Sequence, residues 1–185
     1  QNSDNLIVVG AMANNFLLFK GLKIGMSLIE KDVGNFIEKV NYLAKKFSCK
    51  VFIPTDFQVS TSMNGKPIYR SKNDIRKTEI ILDIGKNSLD SICKIIDSSN
   101  TVFWNGPAGF FENKNFIHGT ISIAKSIAKN TKKRSLISIV GGGDTLAALN
   151  GSGFENSFTH LSTAGGAFLE SLEGKELPAI KVLRK

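Results

Sequence analysis

Apolar residues fall along the chain in two alternating patterns. Short, continuous apolar runs bounded by turn residues predict buried strands. The segment from Val33 to Phe47 instead carries an apolar residue every three or four positions, which is the spacing of one helix face. The predicted strands are Leu6–Val9, Lys50–Pro54, Glu79–Ile84, Thr101–Trp104, Ser135–Val140 and Phe158–Ser162.

Helices are predicted between these strands. They are Ala11–Phe19, the segment from Val33 to Phe47, Ser88–Asp97, Phe116–Lys129, Thr145–Leu149 and Ala164–Glu173. Asn87 or Ser88 is expected to cap the third of these helices. Residues 57–76 are the least regular, and Asn64-Gly65 within them predicts a hairpin or an excursion from the main sheet.

Strands and helices therefore alternate at least five times. This order is typical of βαβ units, in which helices cover a parallel sheet. The pattern predicts an α/β fold: a Rossmann-like three-layer domain with a mostly parallel sheet and helices on both faces.

The composition is that of one ordinary globular domain. Of 185 residues, 42% are hydrophobic and 22% are charged, and these values exclude disordered and fibrous chains. No uncharged apolar run approaches the roughly 18 residues of a membrane span. We therefore expect no membrane partner.

The net charge of +8 raises the possibility of nucleic-acid binding. However, 20 of the 24 basic residues are scattered lysines, whereas arginine is the commoner reader of base edges. We expect no nucleic-acid partner. The positive charge would still favour the arrival of a small anionic ligand.

The cysteines and histidines give no sign of a metal or redox site. Cys49 and Cys93 are far apart and match no zinc or redox motif. Two buried thiols are ordinary in a reducing cytoplasm, which is the expected location. His118 and His160 have no Cys or His neighbour at metal-ligand spacing.

Two glycine-rich loops follow predicted strands and precede predicted helices. The first runs from Gly141 to Gly143 and continues with Asp144 and Thr145, and the second is Ser162–Ala167. Glycines let the backbone approach a phosphate, and the N–H groups of a helix start attract anions. Asp144 is an oxygen ligand suited to Mg²⁺, and Thr145 can cap the helix or bind a phosphate oxygen. The first loop could instead be a tight turn with Asp144 as an N-cap, and the second could be ordinary close packing of a helix start on a sheet. Two such loops nevertheless favour phosphate binding more than either does alone.

Two further loops have candidate nucleotide contacts. In Trp104–Glu112, proline and glycine define the loop, and Glu112 could accept hydrogen bonds from ribose hydroxyls. The alternative for Glu112 is an ordinary surface carboxylate. In Val9–Ala13, small residues after a strand could admit a flat ring, or simply pack as a strand-to-helix turn.

Together these segments resemble the phosphoglycerate kinases. The matching motifs occur in the family's order and span nearly the whole chain: Gly10–Ala13 with Phe16-Leu17, Trp104–Pro107 with Phe111-Glu112, Gly119-Thr120, Gly141–Thr145, Ser162–Ala167, and Leu172–Lys175 with Leu177-Pro178. Residues 1–185 resemble the carboxy-terminal, nucleotide-binding lobe. The lobe that binds 3-phosphoglycerate has no counterpart here, nor has the segment with the family's nucleotide-site lysines, so the chain is expected to be a fragment.

The resemblance implies an activity. It is the glycolytic transfer of a phosphoryl group from 1,3-bisphosphoglycerate to Mg·ADP, giving 3-phosphoglycerate and ATP, and it is reversible. The family is usually monomeric. Because one reactant would have no site, the chain alone is expected to bind nucleotide without turnover.

The resemblance also implies residue roles. Asp144 would hold Mg²⁺ at the nucleotide phosphates, Glu112 would bind the ribose, and the helix start at Gly165-Gly166 would face the transferred phosphoryl group. The other implied contacts are Gly10 and Ala11 beside the adenine, Leu28 and Leu82 as its apolar walls, Asn105 and Pro107 near the nucleotide, and Gly142, Gly143 and Thr145 at the phosphates.

Some positions depart from the family pattern. Val9 stands where the family usually has a further glycine, and Lys86–Ser88 replaces a continuation that usually begins with proline. Residues 61–76 match weakly. Three hypotheses therefore remain: half of a kinase, a binding module that has lost catalysis, and a basic nucleic-acid binder, which the scattered lysines disfavour.

Overall fold

The structure is a computed structural model that describes residues 3–163, 166–167, 170 and 174–183. Its strands are β1 (Asn5–Ile7), β2 (Lys50–Phe52), β3 (Asp56–Ser60), β4 (Ile68–Ser71), β5 (Ile80–Ile84), β6 (Thr101–Asn105), β7 (Ile137–Gly141) and β8 (His160–Ser162). Its helices are α1 (Gly10–Phe19), α2 (Gly34–Lys46), α3 (Lys86–Ser98), α4 (His118–Arg134), α5 (Gly143–Leu149) and α6 (Pro178–Leu183), with a 3₁₀ turn at Lys114–Phe116.

The strands form two parallel sheets and one antiparallel sheet. β1 pairs with β2, and β7 lies between β6 and β8, in both cases with parallel strands. β3 lies between β4 and β5 and is antiparallel to both. The predicted α/β fold with mostly parallel strands is confirmed, while the antiparallel part arises from residues 56–84.

Helices cover both faces of the β1–β2 sheet. Phe52 packs with the core cluster that α3, α4, β6 and β7 share, whereas Val51 and Ile53 pack with the cluster of α1 and α2. Ile7, the last residue of β1, packs with the first of these clusters, and Val8, which follows it, packs with the second. Since successive side chains of a strand point to opposite faces, this division gives the predicted three layers.

The hairpin predicted at Asn64-Gly65 is present, and it joins β3 to β4. Its connection, residues 61–67, is too short for the crossover that parallel strands need, which explains why this part departs from the parallel pattern. Buried Glu79, just before β5, accepts hydrogen bonds from the Arg70 guanidinium of β4 at 2.8 and 3.1 Å. Burial raises the pKa of Glu79, but the hydrogen bonds and charges of Arg70 and Arg76 lower it below its ordinary value.

Several element ends differ from the prediction. α4 begins at His118 rather than at Phe116, because the residues before it form the 3₁₀ turn. It continues past the predicted end at Lys129 to Arg134. Pro178 begins α6, a helix that the sequence pattern did not predict, and proline is favoured at a first helical position. The predicted helix at 164–173 falls largely outside the described residues.

The cap of α3 comes from a distant strand rather than from Asn87 or Ser88. Asp56 of β3 is buried, and its carboxylate accepts the backbone N–H groups of Asn87 at 2.9 Å and Ser88 at 2.8 Å. The Ser88 hydroxyl also donates to it. One carboxylate therefore satisfies two free N–H groups of the helix start and ties α3 to β3.

Replacing Asp56 by alanine is expected to lower the free energy of unfolding by about 2 kcal/mol, the upper range for a lost helix cap. Urea unfolding followed by circular dichroism measures the change. Asp90→Ala is the matched control, since Asp90 is exposed and its pairing with Lys86 lies on the surface. Equal stability of the two variants would contradict the capping role.

Within the described residues, no helix has both the length and the hydropathy that a membrane span requires.

Candidate nucleotide site

The loops that follow β6, β7 and β8 leave the sheet side by side. Asn105, at the end of β6, lies opposite Gly141, at the end of β7, and Gly141 lies opposite Ser162, at the end of β8. Ligands of open α/β sheets bind at this carboxyl edge. The fold thus brings together three of the four loops that the sequence singled out.

Two buried threonines hold the loop of residues 105–112. The Thr145 hydroxyl accepts the backbone N–H of Gly106 at 2.7 Å, and the Thr120 hydroxyl accepts that of Ala108 at 3.0 Å. Both threonines are fully buried. The Thr145 side chain therefore holds the loop of residues 105–112 in place. Its predicted role at the phosphates did not include this contact.

Two glycines of other loops, Gly142 and Gly10, lie in close contact with the loop of residues 105–112. Gly142 has φ of +94°, and a Cβ there would overlap the Asn105 side-chain oxygen. Gly10 has φ of +61°, and a Cβ there would lie 3.0 Å from the Pro107 carbonyl oxygen. Both positions favour glycine because of the positive φ and the lack of room.

Residues 9–13, residues 105–112 and Asp144 line a cavity of about 900 Å³. Its walls are mainly apolar, and its polar residues include Asn105, Glu112 and Asp144. Eight of the eleven predicted nucleotide contacts line it: Gly10, Ala11, Leu28, Leu82, Asn105, Pro107, Glu112 and Asp144.

Of the remaining predicted residues, the four that the structure describes lie outside the cavity lining. Gly142 and Gly143 are at the start of α5, next to Asp144, and Thr145 is buried behind them. Gly166 is exposed and helical, after β8. Gly165 falls outside the described residues.

Met63 is a wall of the cavity that sequence reasoning missed. It lies at the tip of the β3–β4 hairpin, and its carbonyl accepts a hydrogen bond from the Asn113 side chain at 2.8 Å. Asn113 also accepts the N–H of Asn115 at 2.9 Å, which fixes its orientation. The hairpin is therefore attached to the loop that carries Glu112.

Asp83 is a second missed residue at the cavity. Its buried carboxylate accepts the N–H groups of Gly119, at the start of α4, and of Ile84, both at 2.8 Å. A Cβ on Gly109 would overlap this carboxylate, so the loop of residues 105–112 packs directly on it. Burial raises the pKa of Asp83 to about 7, although the two N–H groups act in the opposite direction.

One carboxylate at the cavity, that of Asp144, could hold a metal ion together with the phosphate oxygens of a ligand. Among the described residues, no group of three or more His, Cys, Asp or Glu side chains could hold a metal ion. Asp144 is exposed at the cavity, and Mg²⁺ in nucleotide sites typically uses one or two carboxylates together with phosphate oxygens and water. Asp144 is thus the residue suited to Mg²⁺.

Comparison with known proteins gives one consistent family. The phosphoglycerate kinase family profile matches residues 1–175. The phosphoglycerate kinase of Zymomonas mobilis is 42% identical over 182 residues, which are 97% of this chain and 46% of that protein. A phosphoglycerate kinase of Wolbachia from Drosophila simulans is 41% identical over 184 residues, with coverage of 98% and 46%.

Solved structures agree. Phosphoglycerate kinase from Coxiella burnetii superposes with a TM-score of 0.90 at 39% identity, over 97% of this chain and 46% of that one. The enzyme from Pyrococcus horikoshii gives a TM-score of 0.75 at 29% identity. The chain spans less than half the length of the relatives it matches. With a family profile matched along almost its whole length and the same fold in solved members, the chain belongs to the phosphoglycerate kinase family.

Proposed function

We propose that the chain is the nucleotide-binding half of a phosphoglycerate kinase and that it binds Mg·ADP and Mg·ATP in the cavity described above. One observation carries the proposal: residues from five separate segments, all implied by the family resemblance, line a single cavity. The segments are the start of α1, the loop at Leu28, β5, the loop of residues 105–112 and the start of α5. The family comparisons fix how much of the kinase is shared, and the cavity argues for which half it is.

The apolar walls of the cavity suit a nucleobase. Leu28 and Leu82 face the same cavity as Met63, and Gly10 and Ala11 add a wall with little side chain. Ligand sites of this type combine apolar walls with a few placed polar groups. A flat purine ring would gain burial here, and the small residues would let it lie close to the backbone.

The polar residues of the lining suit the ribose and the phosphates. Glu112 is an exposed carboxylate that can accept hydrogen bonds from ribose hydroxyls. Asp144 would hold Mg²⁺, which when bound neutralises phosphate charge. Gly142 and Gly143 place backbone rather than side chains beside that position, which leaves room for phosphate oxygens.

The reaction would be the reversible transfer of the phosphoryl group from the acyl phosphate of 1,3-bisphosphoglycerate to a terminal phosphate oxygen of ADP. The C–O–P link of the donor breaks as the new P–O–P link forms, leaving 3-phosphoglycerate and ATP. Such transfer depends on positioning and charge stabilisation. The Gly166 region after β8 is proposed to face the transferred group. The other half of the kinase would hold the phosphoglycerate, so this chain alone should not turn over.

A cytoplasmic, monomeric enzyme completes the proposal. It rests on the family resemblance and on the two cysteines, which are free thiols. Free thiols are the ordinary state in a reducing compartment.

The test is a calorimetric melt of the 185-residue chain with Mg·ADP and, separately, with 3-phosphoglycerate. Mg·ADP at a hundred times its Kd should stabilise the folded chain by about 2.7 kcal/mol and raise its Tm. 3-Phosphoglycerate should leave the Tm unchanged. A Tm that rises only with 3-phosphoglycerate would assign the chain to the other half, and a Tm unmoved by Mg·ADP would contradict the proposed site.

A further inference from the structure

Leu28 lines the cavity without being held by packing of its own side chain. It lines the cavity and is 72% exposed, so few contacts of its own side chain can hold it there. Its place must therefore come from the backbone around it, residues 27–30, which we call the Leu28 segment. The contacts of this segment explain how an exposed side chain becomes a fixed wall.

One side of the Leu28 segment is attached to α1 by two neighbouring asparagines. The Asn14 side-chain N–H donates to the Leu28 carbonyl at 2.9 Å. The Glu30 N–H donates to the Asn15 side-chain oxygen at 3.1 Å. Both asparagines are almost completely buried, with 2% and 4% of their surface exposed.

The other side of the segment is attached to β5. The Ser27 hydroxyl accepts the Ile81 N–H at 2.8 Å. Just before the segment, the Met26 N–H donates at 2.8 Å to the carbonyl of Glu79, the residue that precedes β5. The segment thus bridges α1 and β5, which are the two elements that also carry Ala11 and Leu82. Without the Asn14 bond, the attachments of Ser27 and Glu30 would remain on either side of Leu28, but the Leu28 carbonyl would be released and its side chain could shift.

Stability does not account for Asn14. Its Nδ2 bond to the Leu28 carbonyl fixes which way the amide points, so the other atom is the acceptor Oδ1. Within the described part of the chain, Oδ1 is buried and has no hydrogen-bond partner. An unpaired buried acceptor is costly, and an apolar side chain of similar size would avoid that cost. The side-chain hydrogen bond that Asn14 does make goes to the carbonyl of Leu28, which forms part of the cavity wall.

We propose that Asn14 is a positioning residue for nucleotide affinity: by holding the Leu28 carbonyl, it sets the apolar wall against which the base of ADP lies. The inference rests on the proposed function, since it needs a base in the cavity. It places no contact between Asn14 and the nucleotide itself.

The first experiment is titration calorimetry of the full 185-residue chain and its Asn14→Leu variant. Mg·ADP should bind the variant about tenfold more weakly, while Mg·pyrophosphate, which has no base, should bind both equally. Asn130→Ala is the matched control, because Asn130 is also a buried helical asparagine, bonded to Asp97 at 2.7 Å and outside the cavity lining. It should lower stability without changing the Kd for Mg·ADP. Equal Mg·ADP affinity in Asn14→Leu and the wild type would overturn the proposal.

A double-mutant cycle tests whether Asn14 acts through Leu28. Leu28→Ala removes an exposed side chain, so the fold should survive. If Asn14 acts by positioning Leu28, Asn14→Leu should cost little further affinity in the Leu28→Ala background. The same tenfold loss in both backgrounds would overturn the proposal. Should Asn14→Leu fail to melt cooperatively, Asn14→Ala enters the same cycle with the same expectations.

The outcomes distinguish a failure of the proposed function from a failure of the proposed role of Asn14. If the wild-type chain does not bind Mg·ADP, the proposed function fails. If it does bind Mg·ADP but the cycle shows no coupling, the function stands and the role of Asn14 fails.

Discussion

Replacing Asp144 by asparagine should raise the Kd for Mg·ADP about a hundredfold, or about 2.7 kcal/mol. The Kd for metal-free ADP should stay within about twofold. Asp144 lines the cavity and is exposed, so the substitution changes the charge with little effect on the fold. A neutral amide is a far weaker partner for Mg²⁺ than a carboxylate, since hard cations favour charged oxygen ligands.

Titration calorimetry with and without Mg²⁺ measures both constants. Asp90→Asn is the matched control, because Asp90 is an exposed carboxylate on α3, outside the cavity lining. The control should keep the magnesium dependence of the wild type. If Asp144→Asn kept that dependence as well, the metal would have to be held elsewhere.

The second large effect is a pH dependence of stability that comes from Asp83. Burial raises the pKa of this carboxyl to about 7, from an ordinary value of 3.8. The folded chain therefore holds this proton more tightly than the unfolded chain. The stability that the protonated group contributes is complete below pH 3.8 and is lost as the pH rises through about 7.

The size of that loss is about 4 kcal/mol, because each unit of pKa difference corresponds to about 1.36 kcal/mol. Urea unfolding of the wild type and of Asp83→Asn between pH 4 and pH 8 isolates it, since asparagine does not titrate. The stability of the wild type relative to the variant should fall across this range. Two curves that run parallel would show that Asp83 has an ordinary pKa in the folded state.

Local patterns predicted the elements of this fold well. The apolar spacing from Val33 to Phe47 predicted α2, observed at Gly34–Lys46. Asn64-Gly65 predicted the β3–β4 hairpin. These features depend on residues close together in sequence, so their signal is contained in a short window.

Contacts between distant segments could not be predicted in this way. The cap of α3 comes from Asp56, 31 and 32 positions before the residues it contacts. Met63 reaches the cavity because Asn113, 50 positions later, holds its carbonyl. No local pattern marks either pair, because each depends on which loops the completed fold brings together.

The residues of the candidate site also differ in whether a local sequence pattern could predict them. Loop motifs predicted the residues at the carboxyl edge of the sheet, because glycine-rich turns after strands are local signals. Asp83 gave no such signal, since an acidic residue within an apolar strand has no typical local role. Its importance appears only once Gly109 and Gly119 are seen packed against it.

The most direct test of the central claim is a crystal structure of the chain with Mg·ADP. The account predicts the base between Leu28 and Leu82, the ribose beside Glu112, and Mg²⁺ bound by Asp144 and the phosphates. Nucleotide bound elsewhere, with this cavity left empty, would contradict it.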